Sequence, residues 1–186
     1  MNKKYKLLKD DTVKSWDDKT LYRIQALVNI GSVLAGTIGG YIESERHLAL
    51  DGNAWVSGNA RVSGNARVYG NARVSGNARV SGNARVYGNA RVYGNARVSG
   101  NAWVSGNAQV SGDARVEKRQ DCYTFHCESY AITVTPQNVT IGCQLKTHKE
   151  WLKVTKKQAV EMGLSIELYP FYRELVKTGI KAVTRK

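Results

Sequence analysis

A six-residue period runs through the middle of this chain and constrains its fold more than any other feature. From Leu50 onward the frame V-S/Y-G-N-A-R recurs, placing Val56, Val62, Val68, Val74, Val80, Val86, Val92, Val98, Val104, Val110 and Val116 in step. Counting Leu50, twelve consecutive aliphatic positions keep the spacing. Alanine stands two residues before each valine, from Ala54 to Ala114, and Gly-Asn fills the positions between, with Asp113 replacing one Asn. In an extended A-R-V triplet the first and third side chains share a face and the second takes the other. Ala and Val therefore point inward and Arg points to water. Gly-Asn supplies a corner, because both residue types tolerate positive φ. Short strands that turn every six residues around an aliphatic column make a hexapeptide β-helix. Three hexads close one triangular coil of about 18 residues, so residues 50–121 hold about four coils and rise roughly 19 Å at strand spacing. A coiled coil and a collagen triple helix both need other periods.

The ends of such a stack are open sheet edges and must be covered. Residues 21–49 read as short strands with Gly-Gly turns, an N-terminal β cap. Residues 1–20 mix charges with little pattern and read as a mobile segment. Residues 122–145 alternate apolar and polar side chains around Pro136-Gln137-Asn138 and read as a β-hairpin cap. Residues 146–186 read as a helical tail. Thr147-x-x-Glu150 and Thr155-x-x-Gln158 are capping-box patterns, and Gly163 and Gly179 mark expected helix ends. Trp151, Leu152, Val160, Met162, Leu164, Leu168, Phe171, Tyr172, Leu175 and Val176 are the candidates for burial there. The fold class is thus mainly β, a single-stranded parallel β-helix with a hairpin and a helical appendage.

YRIQAL, GTIGGYIESE and L-x-x-x-GNAWV-x-GNARV, together with the IGC-x-x-x-T-x-x-EW stretch from Ile141 to Trp151, resemble a family of hexapeptide-repeat proteins common in phages and prophages. The resemblance covers residues 21–175. It implies a left-handed coil and a phage context, but no catalytic residues. Other left-handed β-helices associate as trimers through their flat prism faces, so a homo-oligomer is expected, with a trimer favoured.

The chain carries a net charge of +13, spread as +2 over residues 1–49, +6 over 50–116 and +5 over 117–186. An excess of that size fits an anionic partner: a nucleotide-like small molecule, nucleic acid or an acidic protein. It also fits solubility alone. Met1–Lys9 is basic with no apolar stretch behind it, and Leu27–Ile42 is too broken by glycine to span a bilayer. With three cysteines and no CxxC pair, the expectation is a cytoplasmic protein of a bacterial host, without a membrane partner.

Stacking hexads 18 residues apart sorts the outward side chains into columns. One is Arg61, Arg79, Arg97, Arg115 without a break; the others are Ala49, Arg67, Arg85, Trp103 and Trp55, Arg73, Arg91, Gln109. Like charges at strand spacing repel unless an anion lies between them. The unbroken column, with Tyr69 above Tyr87, is therefore the expected ligand-binding strip. Trp55 and Trp103, which interrupt the other columns, are the expected oligomer contacts.

Hexapeptide coils also occur in acyl-CoA-dependent transferases, which need a histidine base at the acceptor. Here His47, His126 and His148 all lie outside the coils, and no loop interrupts them. A catalytic zinc of the carbonic anhydrase kind needs three histidines from the coils, where there are none. Cys122, His126, Cys127, Cys143 and His148 match no common zinc spacing and read as ordinary residues. No catalytic residue, metal or cofactor is expected. The reading is a non-enzymatic binding or scaffold protein, with counter-defence by ligand sequestration as the extension a phage setting suggests. An acyltransferase is the alternative.

Overall fold

The computed structural model describes residues 3–127 and 130–185; residues 1–2, 128–129 and 186 lie outside the described part. Three longer strands open the chain: β1 (Tyr5–Lys14), β2 (Thr20–Ala26) and β3 (Ile38–Ile42). Eleven two-residue strands follow: β4 (Trp55–Val56), β5 (Arg61–Val62), β6 (Arg67–Val68), β7 (Arg73–Val74), β8 (Arg79–Val80), β9 (Arg85–Val86), β10 (Arg91–Val92), β11 (Arg97–Val98), β12 (Trp103–Val104), β13 (Gln109–Val110) and β14 (Arg115–Val116). Every third one pairs in parallel, giving the sheets β5-β8-β11-β14, β6-β9-β12 and β4-β7-β10-β13. The chain is a parallel β-solenoid of about four turns.

Register follows from the side chains. All inward Ala and Val from Ala54 to Val116 are buried in one continuous column. Each valine taken out of water contributes about 2 kcal/mol, and sliding the strand by one residue would exchange Val for Arg in the core. Gly takes every corner with positive φ, as Gly76 does at 66°. Asn does not share that role: among the described residues Asp18 alone is a non-glycine with positive φ. The corner asparagines instead form amide ladders up the edges, Asn53 to Asn71 to Asn89 to Asn107 and Asn65 to Asn83 to Asn101, with donor–acceptor distances of 3.1–3.2 Å.

Leu50 is not the first rung. Leu48 pairs beside Val68 and is fully buried, whereas Leu50 is 49% exposed. The first corner carries two extra residues, which also removes Ala49 from the second outward column. Lys4 holds that enlarged corner. Its buried ammonium donates to the carbonyls of Ala49 (3.2 Å), Asp51 (3.4 Å) and Ala54 (3.1 Å).

Residues 5–14, read from sequence as patternless, form β1, antiparallel to β2. Strand β3 then pairs antiparallel with β2 and parallel with β5, so the first face of the prism continues upward as one seven-stranded sheet. The fit over the first coil is close: a Cβ at Gly39 would sit 2.5 Å from Ile24 and 2.8 Å from Trp55.

The far end is covered by an antiparallel meander rather than a single hairpin: β15 (Tyr123–His126), β16 (Ala131–Val134), β17 (Asn138–Ile141) and β18 (Gln144–Thr147). Its polar side chains satisfy the open edge of the last coil. The backbone N–H of Gln109 donates to Thr133 Oγ1 at 2.9 Å, and that of Arg115 to Gln137 Oε1 at 2.7 Å. Helices α1 (His148–Lys153), α2 (Lys156–Glu161) and α3 (Tyr169–Thr184) pack on this meander around a second core that includes Ile132, Val139, Trp151, Leu164, Tyr172 and Val176. Both expected capping boxes form, at Thr147 and Thr155, and Gly163 ends α2 with φ +83°. Gly179 does not end a helix. It lies buried within α3, where a Cβ would sit 2.6 Å from Val134 Cγ2. Leu152, Val160 and Phe171 are exposed rather than buried.

Candidate anion-binding groove

The side chains on β5, β8, β11 and β14 realise the unbroken column, with Arg61 beside Arg79, Arg79 beside Arg97 and Arg97 beside Arg115 in register. Because each coil repeats the same backbone, the four guanidinium stems are held at the strand spacing of about 4.8 Å. Above Arg61 the column continues as Tyr41 and then Arg23, which donates to Asp11 Oδ2 at 2.9 Å and lies 4.1 Å over the Tyr41 ring. Asp11 also accepts from Tyr41, and these two hydrogen bonds hold its carboxyl below the usual carboxylate range. That carboxylate therefore serves Arg23. Among the described residues none of Arg61, Arg79, Arg97 and Arg115 has a carboxylate within ion-pair distance.

The column does not lie on an open face. The turn between β1 and β2 reaches over it, and the two enclose a groove of about 400 Å³. Arg61, Arg79, Arg97 and Arg115 line it together with the residue after each valine in the same coils, Ser63, Ser81, Ser99 and finally Glu117. Leu21, Ser15 and Trp16 come from the turn side. The turn is well tied: Ser15 N–H donates to Lys19 O at 2.9 Å, Ser15 Oγ to Asp17 Oδ1 at 2.6 Å and Lys14 Nζ to Asp18 O at 3.0 Å. Arg61 Nη1 bonds Lys14 O at 3.0 Å and fastens the turn to the ladder. Trp16 contacts this groove yet remains 81% exposed. Guanidiniums without a carboxylate partner among the described residues, a row of hydroxyls and an exposed indole can together bind an anion bearing a flat ring.

Tyr69 and Tyr87 do stack, with centroids 5.0 Å apart and planes 2° apart, but not in this groove. They follow β6 and β9, on another sheet, and their neighbours are Arg67 and Arg85. The third arginine column is partly occupied by the cap: Arg73 is half-buried near Ser32.

Trp55 is 2% exposed beneath the N-terminal strands, so it is a cap contact and not an oligomer contact. Trp103 is half-buried, with Arg119 4.1 Å and Arg85 5.3 Å from its ring. Trp16 was the functional candidate that the periodicity could not reveal, since it lies outside the repeat and enters the groove only through pairing of β1 with β2.

His47 is buried against Ala66 O at 2.8 Å, and His148 bonds Thr135 O at 2.8 Å. His126 lines a separate cleft with Asn89, Arg91, Asn107, Gln109 and Cys127. None of the three lines the arginine groove. Burial pushes the Cys122 thiol up to about 12, as befits a thiol packed against the solenoid core. Among the described residues no three His, Cys, Asp or Glu side chains converge as metal ligands.

Residues 54–69, 66–82, 78–92 and 90–106 match the family described as YdcK beta solenoid repeat. The coils are beta-solenoid repeats. The match lies wholly within the repeats. No curated protein matches the chain. No helix among the described residues is long and apolar enough to cross a membrane.

Proposed function

We propose that this protein is a binding module without chemistry of its own, holding an anionic ligand on Arg61, Arg79, Arg97 and Arg115. The observation that carries this reading is that the arginine column unbroken in all four coils lines, together with the β1–β2 turn, a groove in which among the described residues none of its four guanidiniums has a carboxylate within ion-pair distance. The column of Arg67 and Arg85 borders a cavity of similar size, about 390 Å³, but is interrupted by Trp103. The ligand classes that suit it are a nucleotide-like molecule, nucleic acid or an acidic protein segment. In a phage, sequestering such a molecule would serve counter-defence. Self-association through a flat solenoid face belongs to the same reading, and light scattering measures it. A transferase needs a base beside the acceptor, and the histidine positions do not favour that reading.

The test is the double variant R79Q/R97Q, titrated with inorganic tripolyphosphate, a single-stranded oligonucleotide and hexaglutamate at two salt concentrations. Both arginines face water, so the melting temperature should hold. Affinity for the preferred anion should fall by about 2 kcal/mol or more, and its salt dependence should flatten. Binding that survives the double variant unchanged moves the site off the ladder.

A further inference from the structure

The two ends of the groove differ, and the difference specifies a ligand. At the turn end stands Trp16, an indole left 81% exposed although it borders the groove. Along the groove run three rungs that each pair an arginine with a serine, Arg61 with Ser63, Arg79 with Ser81 and Arg97 with Ser99. At the fourth rung, beside Arg115, the serine position is taken by Glu117. A carboxylate there repels an anionic chain trying to continue past the last coil. The cationic stretch is therefore short: Arg61 to Arg97 spans about 10 Å at strand spacing.

Resting on the binding reading above, we infer that the groove takes a nucleoside polyphosphate, with its base on Trp16 and its phosphates down the three arginine–serine rungs. Arginine forks bridge phosphate oxygens two at a time, and serine hydroxyls donate to oxygens between them. The indole supplies the flat π-face on which any base stacks. A long single strand would have to pass Glu117, and the groove volume of about 400 Å³ is the size of a small-molecule site. An acidic peptide would use the guanidiniums but leave the indole idle.

The experiment measures ATP, GTP and inorganic tripolyphosphate binding to the full chain, to W16A and to R79Q/R97Q, with hexaglutamate and an oligothymidylate as comparators. Trp16 is on an exposed turn, so W16A should fold; its melting temperature is checked first. The nucleotides should bind the wild type about tenfold tighter than tripolyphosphate, the worth of one stacked base. W16A should erase that difference and leave tripolyphosphate unchanged, while R79Q/R97Q should weaken all three. Bound nucleotide should also shield wild-type tryptophan fluorescence from iodide, an effect lost in W16A and W16F alike, while W16F should keep more of the preference for nucleotide over tripolyphosphate than W16A. Tripolyphosphate binding as tightly as ATP, or nucleotide binding indifferent to W16A, overturns the nucleotide inference and leaves the anion groove standing. Hexaglutamate or oligothymidylate binding tighter than either nucleotide also overturns it, in favour of that ligand. Binding of every probe unaffected by R79Q/R97Q overturns the groove itself.

Discussion

Arg61 donates from Nη1 to the backbone carbonyl oxygen of Lys14 at 3.0 Å, across 47 residues of chain. Arg61 thus holds the turn that carries Trp16 through one guanidinium nitrogen, leaving its other N–H donors for the groove. Among the described residues no such tie is made by Arg79, Arg97 or Arg115, which are exposed. Arg61 therefore has a second duty in the ladder, as the rung that also fastens the turn.

If Arg61 is the anchor, its loss should act on the turn before it acts on the charge. We expect R61Q to speed amide hydrogen exchange at Lys19, whose carbonyl and amide both bond Ser15 across the turn, while the amides of β8 and β11 stay protected. R79Q should leave the turn unchanged. Equal exchange at Lys19 in both variants would reduce Arg61 to one charge among four.

The alternation along each two-residue strand predicts opposite outcomes for neighbours. Val86 is fully buried and Arg85 is exposed. V86D puts an unpaired carboxylate into the column and should cost several kcal/mol, enough to unfold the middle coils. R85A should change stability by about 0.5 kcal/mol or less. Circular dichroism melts of the two variants decide it; a V86D protein that melts like the wild type contradicts the register.

Lys4 occupies a position where one side chain replaces a missing turn of the stack. In K4M the carbonyls of Ala49, Asp51 and Ala54 lose their shared donor inside the cap, a loss of about 1–3 kcal/mol. Lys6, two residues on and exposed, should tolerate the same change within about 0.5 kcal/mol. Urea titration of both variants, with the same slope and a lower midpoint for K4M alone, is the expected result.

The solenoid was legible because six-residue spacing is a local property that each coil restates. From Val56 to Val116 the register and the three columns, and beyond them both capping boxes at Thr147 and Thr155, follow from neighbours a few residues apart. What was not legible depends on contacts distant in sequence. YKLLKDDTVK has no clean alternation, and its strand forms because Tyr5 pairs with Ala26 and Lys14 with Thr20. Leu48 displaces Leu50 because the first corner is two residues longer, which a fixed period hides. Gly179 is set by the approach of Val134 to α3, not by a helix end. The separation of Tyr69 from the Arg61 column was available from the same arithmetic, since three hexads close a coil and Tyr69 belongs to the hexad after Arg61.

His47 turns the N-terminal cap into a pH-dependent element. Its Nδ1 donates to Ala66 O, leaving Nε2 buried without a hydrogen-bond partner and Glu43 Oε2 3.8 Å away. Burial outweighs the attraction of Glu43 and is assisted by Arg46 and Lys19, so the ring is held below its ordinary pKa. In the unfolded chain the same imidazole titrates near about 6.5. Below that value the unfolded state binds a proton that the native state does not, so stability rises with pH through this window. The contribution is complete above about pH 6.5 and is lost as the solution is acidified toward the lowered native value. H47Q should flatten that part of the curve, while H126Q, on an exposed ring at the opposite end, should leave it in place. Denaturant midpoints collected from pH 5 to 8 provide the comparison. If the Glu43 contact dominated instead, the wild type would gain stability on acidification relative to H47Q, and the slope would carry the opposite sign.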